Sequence, residues 1–254
     1  MEPKHTQDVS CKHCQDNTPL DFEFSFAFQP IVDSQQKQVV AYEALVRGLN
    51  GESAGSVFEH VNSDNLYRFD QGCRVKAIQV ASQLGLKQRL HINFMPNAVY
   101  EPARCIRTTL AAAREYNFPI EQIVFEVVES EKITDHEHLK RIIRYYAETG
   151  FHTAIDDFGA GYAGLNLLAE YQPEMIKLDR QLICGIHENR VKQVIVEALV
   201  GVCAKLDMAL LAEGVELREE YLWLNKVGID LFQGYYFARP GFEMLPEVAV
   251  EVFE

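Results

Sequence analysis

The sequence has no apolar run approaching the roughly 18 residues that a membrane-spanning helix needs, which excludes a helical integral membrane protein. It has no apolar segment near its start, Met1 to Asp21 being polar, so a secretory signal peptide is not expected. It is short of positive charge. Lys and Arg number 24 against 37 Asp and Glu, a formal net charge of −13. That excludes a protein that coats nucleic acid, because such affinity comes mainly from Lys and Arg on phosphates. It also lacks a disulfide framework. Four of its six cysteines, Cys73, Cys105, Cys184 and Cys203, lie far apart in mostly apolar stretches and read as buried thiols of a reducing cytoplasm. No linker, low-complexity segment or charge block interrupts the chain after residue 21.

What is present is an ordinary globular composition, 48% hydrophobic and 24% charged over 254 residues. A single α/β barrel of about 250 residues fits that length. Short apolar runs alternate with amphipathic stretches. Phe24 to Val32 and Gln38 to Val46 read as two strands joined by a polar turn. Leu66, Phe69, Cys73, Ala77, Val80 and Leu84 recur at helical steps, with Gly85 at the stop. Further strands are expected at 90–94, 123–128, 151–155, 175–178, 208–212 and 229–232, with helices between them at 102–116, after Asp135, at 165–171, 191–202 and 217–227. On the 191–202 helix, Val191, Val194, Ile195, Ala198, Leu199 and Val202 are expected to share one face. Strands alternating with helices over the whole length predict a parallel sheet, closed into a barrel. The expected organisation is a polar leader over 1–20 and one domain over 21–254.

In a parallel barrel the functional groups sit at the C-terminal ends of the strands. Polar residues do interrupt or end the apolar runs here. Glu43 sits near the end of the second strand and Asn93 lies in the third; Glu126 interrupts 123–128. Asp156 and Asp157 close 151–155, Lys177 interrupts 175–178 with Asp179 following, Glu213 ends 208–212 and Gln233 ends 229–232. One such charge on its own would read as a structural ion pair. Six carboxylates at successive strand ends repel one another unless cations neutralise them. An all-oxygen donor set suits Mg²⁺ or Mn²⁺, and two such ions suit hydrolysis of a phosphodiester. The glycine-rich loop after Asp157, with Tyr162 in it, permits a tight turn and movement beside the site.

These residues carry a resemblance. Phe28-Gln29-Pro30-Ile31-Val32, Glu43-Ala44-Leu45-Val46-Arg47-Gly48, Asn93, Glu126-Val127-Val128-Glu129-Ser130, Asp156-Asp157-Phe158-Gly159, Lys177-Leu178-Asp179, Ala212-Glu213-Gly214-Val215-Glu216 and Gln233-Gly234-Tyr235 together resemble the EAL-domain cyclic-di-GMP phosphodiesterases, from about Asp21 to the C-terminus. The resemblance implies a TIM-like (β/α)8 barrel with the first strand antiparallel to the rest. It implies hydrolysis of cyclic di-GMP to linear pGpG with two Mg²⁺ or Mn²⁺ ions per site, in bacterial signalling. Glu43, Asn93, Glu126 and Asp156 would ligate one metal, and Asp156, Asp157 and Asp179 the other. Glu213 would orient water or a ligand, Lys177 would contact or deprotonate the attacking water, and Gln233 would hydrogen-bond near it. Gln29, Leu45 and Arg47 would contact substrate, and Glu129 would steady the loop after Asp157.

Two alternatives stand beside this. A receptor that binds cyclic di-GMP without cutting it would act through a partner. Lys177 on a barrel strand is also what a Schiff-base aldolase carries, although surrounding carboxylates favour the wrong, charged form of the amine. His91, His136, His138 and His152 read as packing residues, since the oxygen donor set is already complete. Cys11 and Cys14, in Cys11-Lys12-His13-Cys14, are a candidate zinc or redox pair in an otherwise solvated leader. A homodimer through the 191–202 stripe, an unidentified regulatory protein and a cytoplasmic location complete the expectations.

Overall fold

Side chains alternate between the two faces of every strand, and this period sets the architecture. The computed structural model describes residues 19–128, 136–160 and 164–254. The expectations for Cys11, Cys14, Glu129, Asp135 and Tyr162 fall outside the described residues. Strands β1 (Ser25–Asp33) and β2 (Gln38–Arg47) form an antiparallel hairpin. Its turn is held by Asp33, whose Oδ1 accepts from the amides of Gln35 and Gln36 at 2.8 and 2.9 Å. From β2 onward the strands pair in parallel and in chain order: β3 (Arg89–Phe94), β4 (Ile123–Val128), β5 (His152–Phe158), β6 (Met175–Leu178), β7 (Ala209–Ala212) and β8 (Leu231–Phe232). β8 then pairs antiparallel with β1 at Val32 and Asp33, which closes the barrel. The first strand therefore runs against its neighbours, as the resemblance implies. A short β9 (Gly241–Phe242) pairs with the opposite half of β1.

The helices pack outside: α1 (Ala54–Phe58), α2 (Leu66–Gln83), α3 (Pro102–Cys105), α4 (Arg107–Glu115), α5 (His136–Thr149), α6 (Gly164–Glu170), α7 (Arg180–Ile183), α8 (Arg190–Lys205) and α9 (Arg218–Lys226). Gly85 follows α2 at φ +72°, the left-handed stop expected there. The helix expected at 102–116 is divided at Ile106. The division is slight, because Ile106 keeps α-region backbone and its N–H still donates to the Pro102 carbonyl. No helix among the described residues is long and apolar enough to cross a membrane.

Two expectations are corrected. On α8 the face turned to the barrel is Val196, Leu199 and Cys203, at i, i+3 and i+7. Val191, Val194 and Ile195 lie on the other side, 68%, 49% and 42% exposed. Nor are all four cysteines buried. Cys105 and Cys203 are, but Cys73 is half-buried and Cys184 exposed, because the latter ends the four-residue α7 at the surface.

Two apolar masses result. The larger lies between the barrel and its helices. The smaller is a plug inside the barrel, made of Ile31, Ala41, Val124, Ala154, Met175 and Leu211, with Leu231 packed against it. Two residues toward the mouth from each, the same alternation places Gln29, Glu43, Glu126, Asp156, Lys177, Glu213 and Gln233 on the inner face. The plug is the floor on which the polar residues stand.

One buried ion pair ties α2 to the barrel wall. Arg74 Nη2 lies 2.5 Å from Asp70 Oδ2, both side chains inaccessible to solvent. Arg74 Nη1 donates to the Tyr146 hydroxyl on α5 at 2.9 Å, and its guanidinium packs over the rings of Phe94 and Phe125. Asp70 Oδ1 accepts from the Met95 amide, just past β3, at 2.9 Å. Removing one partner strands a buried charge. Asp70→Ala is expected to cost about 3–5 kcal/mol in urea unfolding. Adding Arg74→Met should recover much of that loss, and a double variant no better than the single one would contradict this.

Candidate active site

Lys177 is the centre of the barrel mouth. Its side chain is fully buried, and Nζ lies 3.2 Å from Glu43 Oε2, 2.8 Å from Glu126 Oε1, 3.1 Å from Asp156 Oδ1 and 2.5 Å from Glu213 Oε1. These four acids come from β2, β4, β5 and the end of β7, so barrel closure itself brings them together. Glu43 is further fixed by Asn93 Nδ2, which donates to Oε1 at 2.9 Å, and by Gln233 Nε2, which donates to Oε2 at 2.8 Å. Glu126 Oε1 also meets His91 Nδ1 at 2.6 Å. Expected to be a packing residue, His91 is a buried neighbour of the site. What marked it was its place two residues before Asn93 on an inward-facing register.

Adjacent residues of a regular strand face opposite ways, so Asp157 ought to turn away from Asp156. A bulge prevents this. The β5–β6 register shifts between Ile155 and Phe158, and Asp157 takes φ +55°. Bulges re-aim side chains in this manner. As a result oxygens of Asp156, Asp157 and Glu213 come within 4.8 Å of one another, and so do those of Glu43, Glu126 and Asp156. Asp156 belongs to both groups. Asp179 stands outside both; its Oδ1 accepts from the Gln181 amide at 2.8 Å and caps α7. At Gly234 the chain leaving β8 passes so close to that leaving β7 that a Cβ would lie 2.0 Å from the Val215 carbonyl oxygen. That contact sets Gln233 beside Glu213.

The expected substrate contacts lie around the rim. Gln29 is opposite Glu43 in the β1–β2 register, and its Nε2 donates to the Ala238 carbonyl at 3.3 Å. Leu45 and Arg47 line a cavity of about 550 Å³ that reaches from Glu43, Asn93, Asp156 and Asp157 to Phe58 on α1 and Phe69 on α2. Arg47 Nη1 donates to the Val46 carbonyl at 2.7 Å.

Too many acids share this space for all to ionise beside one ammonium. Burial, reinforced by the neighbouring carboxylates, pushes the Glu126 and Glu213 carboxyls well above the ordinary range, and Lys177 only partly offsets it. Burial raises Asp156 too. Burial and the charges of Asp156 and Asp179 push Asp157 up to about 6. Glu43 goes the other way. Burial works to raise it, but Lys177 and the hydrogen bonds from Gln233 and Asn93 hold it below the usual value. Burial opposes the charge on Lys177, yet Asp156, Glu126, Glu213 and Glu43 together keep it firmly protonated.

A divalent cation fits what is left over. Glu126 Oε2 and Asn93 Oδ1 are buried and accept no hydrogen bond among the described residues. Buried oxygens of this kind need a partner. Both carboxylate groups are hard oxygen sets close enough to share an ion each.

The sequence profile described as EAL domain matches residues 16–240. The chain belongs to the EAL domain family. A crystal structure of a standalone versatile EAL protein from Vibrio cholerae O395, in a c-di-GMP-bound form, is 56% identical, with a TM-score of 0.90 over 93% of this chain and 100% of that one. The manganese/cy-diGMP complex of BlrP1 from Klebsiella pneumoniae is 38% identical, with a TM-score of 0.84 over 89% of this chain and 58% of that one. Among curated relatives, the blue light- and temperature-regulated antirepressor BluF of Escherichia coli is 33% identical over 226 residues, 88% of this chain and 56% of BluF. The cyclic di-GMP phosphodiesterase RocR of Pseudomonas aeruginosa is 30% identical over 230 residues, 86% of this chain and 57% of RocR. The chain spans about half the length of these curated relatives.

Cation binding at this site would have a pH signature. Burial raises Glu126, Glu213, Asp156 and Asp157, so a cation in this mouth would compete with protons, its uptake should release them, and its affinity should rise with pH. Mn²⁺ titrations in two buffers of different ionisation enthalpy should show that release, with affinity climbing through pH 6, the region of Asp157. Affinity flat from pH 5 to 8 would contradict it.

Proposed function

We propose that this EAL domain hydrolyses cyclic di-GMP to linear pGpG with two divalent cations, Mg²⁺ or Mn²⁺, bound in the barrel mouth. The observation that carries the reading is the two oxygen groups sharing Asp156, with buried acceptors left over on Glu126 and Asn93. Glu43, Asn93, Glu126 and Asp156 would hold one ion. Asp156 and Asp157 would hold the other, with Asp179 and Glu213 beside them. Two such ions supply charge neutralisation at the phosphodiester and at its leaving oxygen.

The chain's own residues do the rest. Arg47, on the rim, suits a phosphate, for which its planar fork of donors is fitted. Leu45 lines the same cavity, and Gln29 stands opposite Glu43 on β1. Of the two roles expected for Lys177, contact with the attacking water is favoured over its deprotonation, because an ammonium held protonated by four acids donates and does not accept. Gln233, already a donor to Glu43, would hold that water from the other side. The strong protonation of Lys177 also speaks against a Schiff base.

A second reading draws on BluF, named an antirepressor: a cyclic-di-GMP receptor that acts through a regulatory partner without turnover. The complete carboxylate set favours catalysis. For either reading we propose a homodimer through the exposed apolar side of α8, where Val191, Val194 and Ile195 stand clear of the barrel. The lack of a membrane-crossing helix among the described residues accords with action in the bacterial cytoplasm.

Incubation with cyclic di-GMP and Mn²⁺, followed by chromatography, should yield the linear dinucleotide. Glu43→Ala should cut turnover by about 100-fold or more, about 2.7 kcal/mol of barrier. Nucleotide bound but not opened would overturn the enzymatic reading in favour of the receptor.

A further inference from the structure

Each strand from β4 to β7 contributes an apolar residue to the barrel plug, and so do β1 and β2; on β3 the corresponding inward position is occupied by His91. A polar ring in that layer is costly unless it has a use. His91 is 1% exposed, its Nδ1 lies 2.6 Å from Glu126 Oε1, and its Nε2 has no partner among the described residues. The same Glu126 oxygen receives Lys177 Nζ at 2.8 Å. Lys177 and, with its Nδ1 protonated, His91 converge as donors on Oε1, and Oε2 has no partner among the described residues. The terminal torsion of a glutamate is broad and weakly held by its own preferences. An anchored Oε1 removes that freedom and reserves Oε2 for something other than protein.

We propose that His91 is a positioning residue for Glu126, its Nδ1–H fixing one carboxylate oxygen so that the other is presented to a divalent cation. This rests on the metal-site reading above. It goes beyond it by assigning a function to a residue outside the oxygen ligand set. The role is that of the groups behind metal ligands, whose removal commonly weakens metal affinity by about 10–100-fold.

The test uses Mn²⁺ alone, with free ion followed by electron paramagnetic resonance, and a thermal melt of each variant without metal. His91→Leu keeps the volume and removes the donor; its Mn²⁺ affinity should fall by about 10–100-fold. His91→Asn places an amide where Nδ1 stands and should restore most of the affinity. His91→Gln places its amide nearer the Nε2 position and should not. Loss of stability alone would not produce this order. Where the Leu variant does not fold, the Asn and Gln pair carries the comparison. A Leu variant binding Mn²⁺ like the parent chain, or Asn and Gln variants equally impaired, overturns the proposal. A parent chain that takes up no Mn²⁺ overturns the metal-site reading and this inference with it.

Discussion

One ammonium among four carboxylates, three of them buried, governs this structure. Lys177 sits at the end of β6 with Glu43, Glu126, Asp156 and Glu213 within 3.2 Å of Nζ. A single positive charge faces four acids, three of which burial pushes above their ordinary range, and the mouth has oxygens to spare. The rest of the molecule serves this arrangement. The apolar plug keeps water from below, the antiparallel β1 closes the ring so that β2 and β8 can face each other, and the contact at Gly234 sets Gln233 next to Glu213. The strong negative charge of the chain is concentrated in part at one place, where under the proposed reading a cation would convert it into a seat for phosphate.

Much of this was legible in the residues. Charged residues that break or end apolar runs, as Glu126 does in 123–128 and Lys177 in 175–178, mark inward positions at strand ends, because a strand buried on both faces otherwise reads as uniformly apolar. The motifs from Glu43 to Gln233 pointed to the same set, and the fold followed, including the reversed first strand.

The remainder was hidden for physical reasons. The bulge that turns Asp157 toward Asp156 depends on how β5 pairs with β6, which no local pattern announces. His91 was read as packing because a lone histidine on an apolar strand does not itself reveal the carboxylate it meets on the neighbouring β4. Asp70 and Arg74, four apart on α2, look like an exposed helical ion pair until the β3 and α5 aromatics cover them. On α8, helical spacing groups Val191, Val194 and Ile195, but does not say which apolar side faces in; Val196, Leu199 and Cys203 do.

The central claim is that the mouth is a cation trap whose protein-supplied counter-charge is Lys177. Its most direct test is the melting temperature of Lys177→Met with and without Mn²⁺, at neutral and acidic pH. Without metal the substitution leaves the carboxylates uncompensated, so the variant should be strongly destabilised at neutral pH. Protonation of those acids should shrink the loss as pH falls, and Mn²⁺ should restore most of it at neutral pH. A variant as stable as the parent at neutral pH without metal, or one that Mn²⁺ fails to stabilise, would contradict the account.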